Sequence, residues 1–339
     1  MVIYFMIALC LSSLLGADGV GQCLIGEYSG HSAVVNGLCS LPSGEGNDSG
    51  GGNDSGEGAR FISASDDSRI LEWVVGQPSF VGEYKGHTSA VLCVESLGGN
   101  RFMSGGADNK VMVWELGNYS PIKIISLHTD TVKAVLDLKD GSALSASKDK
   151  KIFRFNVVTG EKMMTYTGHT NFVTCLALLP DGSFLSGSID YKIRRWNLSS
   201  PSSIETYSFP TNVKSIKVLS PSFFLVAGGS PTISSLRKFK IGTLSAVFTF
   251  TPVHSKQINS MSLLPDLSFV TGGVDGLLLR WVDGIKDPVT NYPNPGNAII
   301  WSTATLTDGS LVAGLANTKI SRHKTNGNVV SPLFPPFPI

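Results

Sequence analysis

The chain has no Cys-x-x-Cys pair, no His-Glu-x-x-His motif, no phosphate-cradling glycine loop and no dinucleotide fingerprint. Those absences remove the common short signatures of structural zinc, zinc-dependent hydrolysis and nucleotide binding, so no cofactor and no metal site is expected. Cysteine is scarce, at 5 in 339 residues. One of these, Cys10, lies in an apolar leader, and Cys23, Cys39, Cys93 and Cys175 are too few and too spread for a disulfide scaffold. Charge is sparse as well. Charged residues make up 16% against 42% hydrophobic, and the net charge is +1. That balance excludes a disordered chain and lacks the dense basic footprint of a nucleic-acid binder.

Lys and Arg are also missing from the first residues. Met1 to Leu15 is almost wholly apolar and breaks into Gly16-Ala17-Asp18-Gly19. The run is short for a membrane span but suits a secretory signal peptide over residues 1–19, cleaved after Ala17 or Gly19. On that expectation no stable membrane span remains after cleavage, and the protein is secreted or resides in the secretory-pathway lumen. The alternatives are a retained anchor, or a cytosolic protein whose first residues are an unusual tail or a misread start. Four N-x-S sequons begin at Asn47, Asn53, Asn118 and Asn197. They are glycosylation candidates in the secretory reading.

What the chain does have is a period. Trp73, Trp114, Phe155, Trp196, Phe239, Trp281 and His323 close the same short pattern at spacings of 41, 41, 41, 43, 42 and 42 residues. Such a period marks a stack or ring of identical supersecondary units. It defines one domain over about residues 20–330. A Gly/Ser/Asn/Asp-rich insertion at 43–58 reads as flexible, and a Pro-rich tail follows at 331–339. Charge is unevenly divided along the repeats. Residues 18–100 hold 11 acidic and 3 basic side chains, whereas residues 101–250 hold 18 basic and 10 acidic. The basic sector of blades three to five is suited to steering an anionic ligand.

The fullest unit runs from Gly168 to Trp196. Apolar alternation predicts strand a at Val173–Leu178, a Pro180-Asp181-Gly182 turn, strand b at Phe184–Ser188 and strand c at Lys192–Trp196. A fourth strand, d, precedes the next unit. Four short antiparallel strands per repeat make a propeller blade. The fold class is therefore all-β: a seven-bladed β-propeller of four-stranded antiparallel blades. Gln22–His31 mirrors Gln77–His87, so the first segment is a strand d without its own strand c. It is expected to pair in the last blade and close the ring, with Asn328–Val330 as the competitor for that place.

These residues resemble the WD-repeat family over most of the chain. Gly-His pairs recur at Gly30-His31, Gly86-His87 and Gly168-His169, and matching turns recur at residues 63–67, 104–108, 145–149, 186–190 and 271–275. The resemblance implies a buried tetrad in each regular blade, linking a His, a strand-b hydroxyl, a turn Asp and the closing Trp. By match these are His31-Ser63-Asp67-Trp73, His87-Ser104-Asp108-Trp114, His169-Ser186-Asp190-Trp196 and His254-Thr271-Asp275-Trp281. Blade 3 has His128-Ser145-Asp149 with Phe155. Blade 5 has Pro210 and Pro231 near the His and Asp positions and two extra residues between strands b and c. Blade 7 has Asn317 and His323 in place of Asp and Trp.

The repeated Ser, His and Asp superficially suggest a hydrolase triad. However, five of the 6 His occupy tetrad positions and the sixth, His323, replaces a tetrad Trp, so none is free for catalysis. The resemblance implies instead a non-catalytic scaffold that binds a protein or peptide through its top face, where the d–a and b–c loops open. A secreted hydrolase or a polyanion-binding propeller is the remaining alternative. Family recognition positions flank the first strand-a residue and precede the turn Asp. Among them Leu92, Lys133, Lys148, Phe172, Ile189, Lys214, Ile299 and Trp301 are candidate partner contacts. Phe172 is expected to be exposed among the lysines. Trp301 either joins Ile299 as an apolar anchor or packs inward to repair the irregular seventh blade. All four sequons are expected on the opposite, bottom face, those at Asn118 and Asn197 in c–d loops.

Overall fold

Along Val173–Leu178 every second residue is buried, the period-two pattern of a strand with one packed face. Gly182 turns the chain at φ +80°, and Asp181 caps the turn by accepting from the Ser183 amide and hydroxyl. Phe184–Ser188 returns fully buried, Lys192–Trp196 follows, and Ser203–Ser208 forms the outer strand. The same unit recurs around the chain. The computed structural model describes residues 24–42, 58–251 and 254–325, within which twenty-eight strands form seven four-stranded sheets. The expected signal segment, Asn47, Asn53, nearly all of the insertion, Asn328–Val330 and the Pro-rich tail lie outside the described residues.

The first strands of successive blades pack against one another in order, and that of blade 7 packs against that of blade 1. The sheets therefore form a closed ring with strand a innermost. Leu24–Ser29 pairs antiparallel with Lys319–His323 and completes blade 7, with Lys319 Nζ reaching Glu27 at 2.8 Å. Pairing the two ends of the ring leaves no open edge at the seam. The hydrophobic cores lie between neighbouring blades. In one, Cys175, Leu185 and Ile193 of blade 4 pack with Val213, Phe224 and Phe239 of blade 5. The approach is close: a Cβ on Gly187 would lie 2.3 Å from Val213 Cγ1, which is why strand b carries Gly here.

Each regular blade is held by a directed chain of hydrogen bonds. In blade 4, Trp196 Nε1 donates to Ser186 Oγ at 2.8 Å. The Ser186 hydroxyl meets His169 Nε2 at 2.7 Å, and His169 Nδ1 meets Asp190 at 2.8 Å. Asp190 also accepts from the Thr170 amide. His31, Ser63, Asp67 and Trp73 of blade 1 come together in the same way, as do His87, Ser104, Asp108 and Trp114 of blade 2. So do His254, Thr271, Asp275 and Trp281 of blade 6. The four indoles are fully buried, and each N–H needs its acceptor. Burial pushes the Asp190 carboxyl up, but the His169 hydrogen bond and charge outweigh it and hold it at about 2.

A second recurring network was not read from the sequence. In blades 3, 4, 6 and 7 a strand-c arginine reaches back to the a–b turn. Arg154 Nε donates to Ser142 Oγ and its guanidinium pairs with Asp140. Arg195, Arg280 and Arg322 do the same with Ser183 and Asp181, Ser268 and Asp266, and Ser310 and Asp308. The tetrads pin one end of the blades and these arginines pin the other.

The irregular blades solve the missing groups differently. Blade 3 keeps His128, Ser145 and Asp149 in contact, but Phe155 offers no N–H, so Ser145 has one partner fewer. In blade 5 the two extra residues do not form a longer loop. Phe223–Ser230 and Ile233–Lys240 stay paired to Ser230↔Ile233, a tight hairpin about Pro231-Thr232. In blade 7, His323 is wholly buried, meets Ser321 Oγ through Nε2 at 2.9 Å, and leaves Nδ1 without a hydrogen-bond partner. The Tyr292 ring lies edge-on at 5.7 Å.

Two outcomes are expected. Ser186→Ala orphans both the Trp196 N–H and the His169 ring nitrogen, whereas Ser145→Ala orphans only His128. By chemical denaturation the first should lose roughly 2–4 kcal/mol and the second about half that; equal losses would contradict the directed chain. Burial depresses the His323 pKa from 6.5 to about 4. Between these values the unfolded chain binds a proton that the folded chain refuses, so stability is full above pH 6.5 and falls on acidification towards pH 4. His323→Gln should flatten the wild-type loss between pH 7 and 4.5 by about 2–3 kcal/mol, read as the difference between the two denaturation series.

Candidate binding face

The His–Asp contacts place the d–a connections and b–c turns at one end of the blades, here the top. Their union is tighter than the tetrads alone. In every blade an amide at or just before the b–c turn donates to the carbonyl of the residue just before strand a. The pairs are Asp66 to Val34, Ala107 to Ala90, Lys148 to Thr131, Ile189 to Phe172, Gly229 to Asn212, Val274 to Gln257 and Ala316 to Ile299. Ile189 and Phe172 are thus neighbours, and Lys148 sits directly beside strand a of blade 3.

All seven inner strands also share a β-bulge after their first residue. The extra residues are Asn36, Leu92, Lys133, Thr174, Lys214, Asn259 and Trp301. A bulge re-aims its side chain out of the ladder, and these seven ring the top mouth of the channel. In three blades the bulge side chain bonds the next blade. Asn36 Nδ2 donates to Val91 O at 3.1 Å, Thr174 Oγ1 to Val213 O at 2.6 Å, and Asn259 Nδ2 to Ile300 O at 2.9 Å. In blade 7, Ser302 Oγ makes the equivalent bond to Val35 O across the seam. Leu92, Lys133 and Lys214 make no such bond.

Those two lysines, with Lys148, form the basic part of the mouth. All three are half-buried. Burial lowers the pKa of Lys133, and the charges of Lys214 and Lys148 lower it further. Burial also lowers that of Lys214. Lys148 Nζ stands 5.5 Å from the centroid of the Phe172 ring, a cation–π contact. Phe172 is therefore half-buried, not exposed as its flanking lysines suggested, because Lys148 covers it. Ile189, Leu92 and Ile299 are likewise half-buried. Trp301 is 38% exposed and so does not pack inward to repair blade 7. Asp66, beside its tetrad Asp67, accepts from Asn36 Nδ2 at 2.7 Å.

One exposed aromatic at this face escaped the sequence reading. Tyr191 follows the turn Asp190 and is 51% exposed, with φ +65°. Ser68, Asn109, Lys150 and Thr318 hold the same left-handed conformation in their turns. A bulky aromatic at such a position is unusual, and that alignment was the available signal. Farther from the mouth, burial raises the Glu95 carboxyl to about 6, while Lys217 of blade 5 and Lys139 pull the other way. Burial pushes the thiols of Cys39, Cys93 and Cys175 up to about 12, so they stay protonated and unreactive. None of the three is in a disulfide, and Cys23 lies outside the described residues.

The other end of the blades holds the a–b turns and c–d connections. Asn197 is exposed there, its Oδ1 accepting from Ser199. Asn118 is also exposed, but it opens a strand d, Asn118–Ile125, and does not sit in a loop; its Cα partner is Glu115 across a very short c–d connection. Among the described residues no three His, Cys, Asp or Glu side chains gather as a metal-binding group, and no helix is long and apolar enough to cross a membrane.

Residues 78–115 and 160–197 match the family model of the WD domain, G-beta repeat. Each match runs from strand d of one blade to strand c of the next, across the complete tetrads of blades 2 and 4. No curated protein matches the sequence. Among solved structures, the chain is similar to the WD40 beta propeller domain of Doa1, with a TM-score of 0.75 and 19% identity over 91% of this chain and 99% of that one. At that identity the likeness is one of fold. With two repeats matched in sequence and the tetrad geometry repeated beyond them, the chain is a seven-bladed β-propeller whose regular blades resemble the WD repeat.

Proposed function

We propose that this propeller is a non-catalytic scaffold of the secretory pathway that binds a protein or peptide partner through its top face. The observation that carries the reading is the bulge ring. It brings residues from seven separate repeats to one mouth, and it leaves Trp301 exposed there beside half-buried Ile299. Exposed tryptophan next to apolar surface is the composition of an interface anchor. The tetrad groups, by contrast, are spent on one another, so the repeated Ser, His and Asp have a structural role. The apolar leader and the exposed sequons at Asn118 and Asn197, away from the top, support entry into the secretory pathway. Glycans there would leave the binding face bare.

The test uses the full chain in a secreting eukaryotic host. The product in the medium should begin between Asp18 and Val20 and lose mass with a glycosidase; an unglycosylated intracellular chain retaining Met1 would refute the secretory part. A photo-crosslinking amino acid at Trp301 should form a defined protein adduct, whereas the same probe at Val158, exposed on a c–d turn, should not. Adducts from Val158 alone would move the binding face to the bottom.

A further inference from the structure

The lysines of the mouth sit close together without a carboxylate among them. The lysine ion pairs among the described residues are Lys85–Glu83, Lys139–Asp137, Lys238–Asp283 and Lys319–Glu27, all away from this site. Lys133, Lys148 and Lys214 pair with no carboxylate, although each is half-buried and pays for partial desolvation. The one acid felt by Lys133 at the top is Asp66, which is already bonded to Asn36. The placement of the lysines is also out of pattern. Blades 1, 4 and 6 use the bulge residue to bond the next blade, while blades 3 and 5 spend that position on an ammonium group. Blade 4 lies between them and contributes Phe172 and Ile189, joined through their backbones.

We propose that this part of the mouth is a cradle for an acidic side chain of an extended peptide segment, seated between Lys133, Lys148 and Lys214 with an apolar neighbour against Phe172 and Ile189. This rests on the top-face reading and specifies its partner. The three cations compensate a carboxylate in a partly desolvated setting, where a charge-assisted hydrogen bond is stronger than in open water. Burial lowers the Lys133 pKa most, and the nearby charges of Lys214 and Lys148 lower it further, so an anion seated there relieves their repulsion. The apolar side chains beside the charges favour a peptide over a free ion, because an ion cannot cover them.

The experiment probes the purified, secreted full chain with degenerate nonapeptide libraries whose central residue is fixed as Asp, Glu, Asn or Gln. Wild type should prefer the acids over their amides by about tenfold, equivalent to about 1.4 kcal/mol. The Lys133→Gln, Lys214→Gln double variant should lose that preference. The Lys133→Arg, Lys214→Arg variant should keep it, and thermal unfolding of all variants should match wild type, which separates loss of the cradle from loss of fold. Lys286→Gln, on an exposed c–d turn, should change nothing. Equal binding of acids and amides, or an acid preference untouched in the double glutamine variant, overturns the cradle while leaving top-face binding standing. Loss caused by Lys286→Gln would undermine the top-face reading as well. Complete competition by millimolar inorganic phosphate, with no contribution from flanking apolar residues, would reassign the site to a free anion and refute the peptide.

Discussion

The hydroxyl at the third residue from the end of strand b is the small group on which this ring depends. In four blades it accepts from a buried indole and meets an imidazole that is itself held by a turn aspartate. A four-stranded blade has too little interior to bury a Trp without satisfying its N–H, and a buried unpaired donor costs more than a typical bond returns. The hydroxyl solves that problem and directs the chain outward to the top turns. The same interaction therefore packs the blade, fixes the d–a connection against the b–c turn, and sets the height at which the bulge residues emerge.

The arginine network does the complementary job. Its guanidinium groups tie strand c to the a–b turn in blades 3, 4, 6 and 7, at the end away from the tetrads. With both ends held in blades 4 and 6, and their first strands packed side by side around the ring, the inner strands line the channel. Blade-to-blade bonds from Asn36, Thr174, Asn259 and Ser302 add ties between sheets at the mouth. Among the bulge residues Leu92, Lys133, Lys214 and Trp301 make no such tie. On the proposed reading, binding uses the places where a repeated structural device is left out.

The departures from the repeat also have physical costs and remedies. Phe155 and Phe239 remove the indole N–H and with it the need for a full chain of acceptors. Phe239 stacks on Phe224 at 5.4 Å, filling blade 5 with apolar surface alone. His323 fills the seventh position but leaves a ring nitrogen unpaired, and its burial makes the seam blade sensitive to acidification. The closing strand Leu24–Ser29 belongs to that same blade, so the chemistry of His323 and the integrity of the ring are neighbours.

Much of this was legible in the sequence. The spacing of the closing aromatics sets the number of blades, and the alternation in Val173–Leu178 with the turns after it predicts strand limits that the structure reproduces. Ring closure was legible because Gln22–His31 repeats Gln77–His87. Such features are local: periodicity and turn chemistry act within a few residues of one another. What only the tertiary structure decided is long-range. Whether Trp301 faces solvent, whether Lys148 covers Phe172, and whether a bulge residue bonds the next blade all depend on atoms of other strands and blades, distant in sequence and brought close by the ring. The arginine network shows the boundary between the two. Its Asp, Ser and Arg spacing stands in the sequence four times, yet the reason for it exists only once strand c has folded back over the a–b turn.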